Sequence, residues 1–238
     1  MSASRLVRGR WPKDLPPLTS EQRRISDDFM QHWHEVLPRR YGLVERFNHT
    51  YPVKAAPVMA GSRTLEIGAG LGEHVKYEDL ARQEYHCVEI RQKMADVIME
   101  RFPGVSAIVA DCQCRLPYED GYFDRAIAVH VLEHLPDLPA AVDEIHRVLR
   151  PDGAFALVIP CDPGFAYEVA RKVSAERIFR KRYRQPYKWL IRREHINSPA
   201  EIENVLANKF RVGNREYFPM RVPLVHLNLC VGMVARKR

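Results

Sequence analysis

No apolar run in the 238 residues approaches the roughly 20 needed to cross a bilayer, and no signal-peptide pattern opens the chain. A helical membrane span is therefore not expected. Cysteine is sparse: Cys87, Cys112, Cys114, Cys161 and Cys230 make an odd set with no Cys-x-x-Cys pair. That excludes a disulfide framework and a zinc knuckle, and suits reduced thiols in a cytoplasmic protein. Internal repeats and long low-complexity segments are missing, which excludes a solenoid. Histidines and carboxylates never recur at metal-ligand spacing; His130, Glu133 and His134 are too loosely patterned to count, so no metal is expected. The net charge of +7 is moderate, and its distribution matters more than its size.

The organising stretch is Thr64-Leu-Glu-Ile-Gly-Ala-Gly-Leu-Gly-Glu-His74, an apolar run followed by Gly68, Gly70 and Gly72. Glycines at such spacing allow sharp turns and close approach of backbone to a ligand. A strand, this turn and a helix would open a doubly wound nucleotide-binding fold. The next strand-like run, 85–90, contains Glu89, about 20 residues past the loop, where such folds place a carboxylate for ribose hydroxyls. A third run, 105–110, leads into Asp111. Glu66, Glu89 and Asp111 thus fall at the C-terminal ends of three successive strands, on the crevice where open α/β sheets bind ligands. A dinucleotide dehydrogenase fits less well: the third glycine comes one position early, and Glu73 would oppose a pyrophosphate at the helix start. A cofactor with an adenosine and no phosphate suits the loop better, and NADH is not expected to bind.

Thr19 to Gln22 reads as a capping box before a helix to about Val36, ended by Pro38, with Ile25, Phe29, Trp33 and Val36/Leu37 as its packing face. Helices are expected near 73–83, 91–102 and 138–149, and strands near 64–67, 85–90, 105–110, 123–129 and 154–159. Such alternation implies a mostly parallel sheet covered on both faces. Residues 163–194 interrupt it with an amphipathic, strongly basic insertion, Arg171 to Arg193, whose apolar positions should pack down and turn arginines toward the crevice. Ser198 and Pro199 start another helix to about Asn208. Two strands near 211–218 and 226–235 close the chain.

Leu65-Glu-Ile-Gly-Ala-Gly-Leu-Gly72 resembles the first motif of the class I S-adenosylmethionine-dependent methyltransferases. Leu116 to Leu135 and Ala140 to Gly153 resemble the branch that includes the ubiquinone/menaquinone-biosynthesis enzymes. The resemblance covers about residues 62–160. It implies a seven-stranded Rossmann-like sheet, doubly wound and mostly parallel, with an antiparallel C-terminal edge. Around this it implies an N-terminal arm and helical cap over 1–60, and a methyltransferase domain over 61–238 carrying the insertion. It also implies S-adenosyl-L-methionine as cofactor, with S-adenosyl-L-homocysteine as product.

Carried over by motif, Gly68, Ala69, Gly70 and Gly72 would pass beside the methionine and ribose. Glu89 would accept the ribose hydroxyls, Asp111 and the Cys112 backbone would hold the adenine amino group, and Ile90 would pack on the ring. Glu66 would face the methionine amino group, and His130 and Val131 would touch the transferring end. His130 is the leading catalytic candidate, with His134, Tyr77 and His195 as further candidate bases. His49 and Tyr51 are candidates for the substrate site, each also fitting a structural duty. An Asn/Asp-Pro-Pro-Tyr motif is absent; the equivalent stretch, Ala128-Val-His-Val131, argues against methylation of DNA bases or amide nitrogens. The expected acceptor is a small molecule or glycan, methylated at oxygen, and the basic insertion points to one that carries negative charge; peripheral contact with a membrane surface is compatible with the same charges. An RNA methyltransferase and a non-catalytic cofactor-binding scaffold are the competing readings. No RNA-binding module accompanies the basic charge, and the oligomeric state is open.

Overall fold

The computed structural model describes residues 10–40 and 42–238, with side chains throughout except at positions 31 and 33–40. Trp33, Val36 and Leu37 therefore lie outside the described side chains, and residues 1–9 outside the described arm. Seven strands form one sheet: β1 (Ser62–Ile67), β2 (Gln83–Glu89), β3 (Ser106–Val109), β4 (Phe123–Val129), β5 (Leu149–Pro160), β6 (Phe210–Phe218) and β7 (Cys230–Lys237). Their spatial order is β3-β2-β1-β4-β5-β7-β6. Strands β1 to β5 pair in parallel, while β7 runs antiparallel to β5 on one side and β6 on the other. The antiparallel strand is thus one in from the edge. Leu65, Ile127, Phe155 and Leu157 are fully buried because helices cover both sheet faces, as parallel strands require.

Strand order reverses between β1 and β4. The chain leaves β1 toward β2 and β3, then returns to the other side, which opens a crevice at the C-terminal strand ends. Helices α1 (Ser20–Arg40), α2 (Gly42–Ala55), α3 (Gln92–Arg101), α4 (Leu138–Val148), α5 (Phe165–Val173), α6 (Ala175–Tyr183), α7 (Lys188–Glu194) and α8 (Pro199–Lys209) complete the chain. The capping box at Thr19 forms, with reciprocal bonds of 3.1 Å to Gln22. A second box, Ser198 with Glu201, starts α8. Pro38 does not stop α1; it falls in the last turn, where a missing N–H costs one bond near an end that already frays.

The helix expected over 73–83 is absent. Two single 3₁₀ turns, Val75–Tyr77 and Leu80–Arg82, take its place. The segment is drawn inward by a buried polar chain. Glu45 Oε1 lies 3.1 Å from His49 Nε2, His49 Nδ1 3.4 Å from His74 Nδ1, and His74 Nε2 2.9 Å from Glu78 Oε1. Glu78 also pairs with the buried Arg125 guanidinium, which donates to the Ala56 carbonyl at 2.8 Å. These contacts tie the segment to α2 through His49 and to β4 through Arg125. Helix α2 is further pinned where the Tyr51 ring lies flat on Gly232 of β7: a Cβ there would meet the ring at 2.5 Å. Tyr51 is accordingly core, and of the two substrate-site candidates only His49 reaches the crevice.

Above the crevice, the 163–194 insertion folds as three helices, α5 to α7, not one. Ile25 and Phe29 of α1 pack with Ala175, Phe179, Tyr187 and Leu190 in a core separate from that of the sheet. Phe29 and Phe179 meet edge to face at 5.2 Å, and Asp28 holds Arg182 at 2.9 Å. Segments from before and after the sheet thus share one roof.

Candidate active site

The crevice and roof enclose a cavity of 640 Å³. Its inner end is built by the β1 loop. Gly68, Gly70 and Gly72 all have positive φ (65°, 58° and 76°), the left-handed region that glycine enters without strain. A Cβ on Gly68 would stand 2.6 Å from Val131, and one on Gly72 2.6 Å from Phe102, so the loop presses on the turn after β4 and on α3. Glu89, at the end of β2, accepts the Gly70 N–H through Oε2 at 3.0 Å and the Arg91 N–H through Oε1 at 3.1 Å. Its carboxylate is locked at the cavity wall with lone pairs to spare. Asp111 lines the same end and accepts the Gln113 backbone N–H at 2.9 Å. Ile90, between the two acids, is 60% exposed and lines the cavity. Burial pushes the neighbouring Cys112 thiol up to about 12, so it is no nucleophile near neutrality.

Glu66 lines the cavity from β1 and accepts the Tyr85 hydroxyl at 2.8 Å. Burial outweighs that bond and pushes its carboxyl up from 4.5 to about 8. The folded chain therefore keeps a proton that the unfolded chain releases above about pH 4.5. Stability should fall as pH rises from about 4.5 to about 8, by several kcal/mol in all. Thermal melts of Glu66→Gln, which preserves the bond to Tyr85, should show a flatter decline over that range; identical slopes would mean Glu66 is ionised in the fold.

All eleven residues expected around the cofactor sit on or against this inner end except Gly72, which faces α3. An exposed apolar side chain between two carboxylates suits a purine nucleoside with a free diol, and Glu73 suits a cationic tail better than a phosphate. The residues present fit S-adenosylmethionine.

His130 directly follows β4 with φ 54°, an unusual conformation for a residue with a side chain. It places Nδ1 3.1 Å from Glu133 Oε1 and Nε2 3.9 Å from Cys230 Sγ. Burial opposes a charge on His130, but Cys230 and Glu133 outweigh it and raise the imidazole; Glu133 is lowered in turn, against its own burial. His134 and His195 line the outer half with Tyr167, Leu190 and Ile191 of the roof, and Tyr77 does not line the cavity, stacking on His49 at 5.2 Å.

The insertion is oriented differently from expectation. Arg180, Lys181 and Arg182 are exposed and form no part of the cavity wall, whereas Arg171 lines it and pairs with Glu176 at 3.2 Å. Phe165, Val169 and Val173 of α5 face solvent, Val173 at the cavity rim with 66% exposed. Helical spacing alone could not say which face would turn down. Sequence reasoning also passed over Asp162 and Glu194, which stand beside His195 and His134; the polar cluster Glu194-His195-Ile196-Asn197 ahead of the Ser198 cap was the available signal.

Comparison with known proteins matches residues 65–157 to the methyltransferase domain family. A sterol 4-C-methyltransferase of Caenorhabditis elegans is 32% identical over 143 residues, 55% of this chain and 42% of its own. A malonyl-[acyl-carrier protein] O-methyltransferase of Halorhodospira halophila is 28% identical, covering 56% and 45%. A ubiquinone/menaquinone biosynthesis C-methyltransferase of Cupriavidus metallidurans is 30% identical, covering 47% and 49%. The chain thus spans less than half the length of each of these relatives. A S-adenosylmethionine-dependent methyltransferase from Aquifex aeolicus shares the fold, with TM-score 0.57 at 15% identity over 82% of this chain and 93% of that one. So does a TehB-like methyltransferase from Corynebacterium glutamicum, with TM-score 0.58 at 18% identity over 90% and 98%. Residues 65–157 thus match a methyltransferase domain, and they sit in a chain with the fold of S-adenosylmethionine-dependent methyltransferases and a pocket that fits that cofactor.

Proposed function

We propose that this protein transfers the methyl group of S-adenosylmethionine to an oxygen of a small, amphiphilic acceptor. The observation that carries the reading is the continuity of the cavity. The inner end suits the cofactor, and the outer half opens between apolar roof residues (Phe29, Leu190 and Ile191) to the exposed apolar edge of α5. Arg171, Glu194 and the histidines are polar points on that path that can orient a polar head. The names of the relatives support an acceptor with a large apolar part: one acts on a sterol and another in quinone biosynthesis.

Bound S-adenosylmethionine supplies a methyl group already activated on a sulfonium. Glu89, Asp111 and Ile90 hold the nucleoside, Glu66 faces the methionine end, and Gly68 with Val131 sets the depth of the pocket. His130 closes β4 at the junction of the two halves. Aligning two reactants in this way is worth several kcal/mol of the barrier. Roof helices exclude water from the junction.

Incubation with methyl-labelled donor and fractionated cell extract tests this reading. Label should enter the organic-extractable pool; label in RNA or in aqueous polysaccharide would replace it. Val173→Asp, at an exposed rim position, should raise the acceptor KM about fivefold, from a loss of ~1 kcal/mol of apolar contact. Donor affinity should not change. An unaltered KM would place the acceptor elsewhere.

A further inference from the structure

Three side chains at the outer half of the cavity come from distant parts of the chain. Glu133 and His134 lie in the 3₁₀ turn Leu132–His134 after β4, and His195 follows α7. One candidate ligand atom from each lies within 4.8 Å of the others. The two segments are clamped together. Backbone N–H groups of Ile196 and Asn197 donate to the Glu133 carbonyl at 2.9 and 3.1 Å, and Asn197 Nδ2 donates to the carbonyls of Leu132 and Leu135 at 2.7 and 2.8 Å.

His195 Nδ1 meets Asp162 Oδ2 at 2.9 Å, while His134 Nδ1, 3.4 Å from Glu194 Oε2, makes no hydrogen bond among the described residues. At His195 the carboxylate on Nδ1 favours the tautomer that leaves a lone pair on Nε2, the outer-shell arrangement typical of metal-bound histidine, and at His134 the buried, unpartnered Nδ1 is itself free to ligate. Glu133 is 1% exposed, and its Oε2 has no hydrogen-bond partner among the described residues although Oε1 faces His130. A buried carboxylate oxygen without a partner is costly and calls for a donor or a cation. Ligands about 2.0–2.1 Å from a tetrahedral ion stand roughly 3.4 Å apart, so modest side-chain rotation closes the set.

We propose that Glu133, His134 and His195 form a binding site for one divalent first-row cation, zinc or manganese in type, with open coordination positions toward the cavity. Two imidazoles and one carboxylate are a donor set suited to such ions more than to magnesium, which prefers oxygen. An oxygen of the acceptor would complete the coordination; that use rests on the methyl-transfer reading, whereas the site does not. Spacing along the sequence could not reveal it, since His195 joins His134 only through the Asn197 clamp.

The test uses the full chain after chelator dialysis, titrated with zinc chloride by calorimetry and with cobalt(II) by visible absorption. One equivalent should bind with micromolar or tighter affinity. His195→Ala and His134→Ala should each weaken binding at least tenfold, and Asp162→Asn, which only positions His195, by about tenfold. His226→Ala and Cys114→Ser should bind as wild type does. S-adenosylhomocysteine affinity, measured in each variant, verifies that the fold is intact. No saturable binding, wild-type binding by His195→Ala, or thiolate charge-transfer absorption with cobalt would overturn the site. No acceptor is present in these titrations, so failure of the methyl-transfer reading would not affect them, and failure of the site would leave that reading standing.

Discussion

Glu89→Ala is expected to weaken binding of S-adenosylhomocysteine at least tenfold and up to about a hundredfold. The estimate follows from losing charge-assisted hydrogen bonds worth about 1.5–3 kcal/mol each. The substitution acts twice: it removes the carboxylate proposed to accept the ribose diol, and it leaves the Gly70 and Arg91 N–H groups without their acceptor. Glu89→Gln separates the two effects. Its amide oxygen can still accept from one N–H, while its amino group opposes the other, so an intermediate loss is expected. Calorimetric titration decides, with melting temperature as the check on folding. Wild-type affinity in Glu89→Ala would remove this residue from the cofactor site.

Arg125→Met should cost about 3–5 kcal/mol of stability, the usual penalty for stranding a buried charge. In a chain of this size that lowers the melting temperature by roughly 10 °C. Arg125 and Glu78 are both buried, and removing the guanidinium leaves the carboxylate with only His74 and Gln83. The double variant Arg125→Met/Glu78→Gln should regain most of the loss, because the uncompensated charge is gone. Burial raises Glu78, but His74 and Arg125 outweigh it and pull the carboxyl down to about 2. The stability this contributes is complete above the ordinary value of 4.5 and is lost as pH falls from there to about 2. The variant should therefore lose much of that acid sensitivity. A single variant within 1 kcal/mol of wild type would show that water already reaches Glu78.

The cofactor half of the site was legible because its chemistry is local. Gly68, Glu89 and Asp111 each stand at or just past the end of a strand, and parallel pairing brings strand ends to one line without any further information. The strands were legible for the same reason, as short apolar runs between turn residues. Failures came where distant side chains decide. The 73–83 segment has the composition of a helix, but His74 and Glu78 are claimed by His49 and Arg125, which no local pattern reports. Tyr51 fitted both a structural and a site duty, and Gly232, far along the chain, decides for the first by offering backbone to its ring. Likewise the apolar positions of the insertion split between Phe179, which goes inward, and Val173, which does not, because α1 supplies the partner surface only for α6 and α7.

The outward set of Arg177, Arg180, Lys181 and Arg184 leads to a laboratory consequence. An exposed cationic face lying off the cavity wall will condense onto any polyanion by releasing its counterions, whatever the base sequence. Retention on heparin, co-purification with RNA and gel shifts at low ionic strength are all expected from it. Each should vanish steeply as salt approaches the physiological range, while methyl transfer continues. Nucleic-acid affinity measured in dilute buffer thus says nothing about the acceptor, and activity assays in crude extract should be run with nuclease present and salt near 0.15 M.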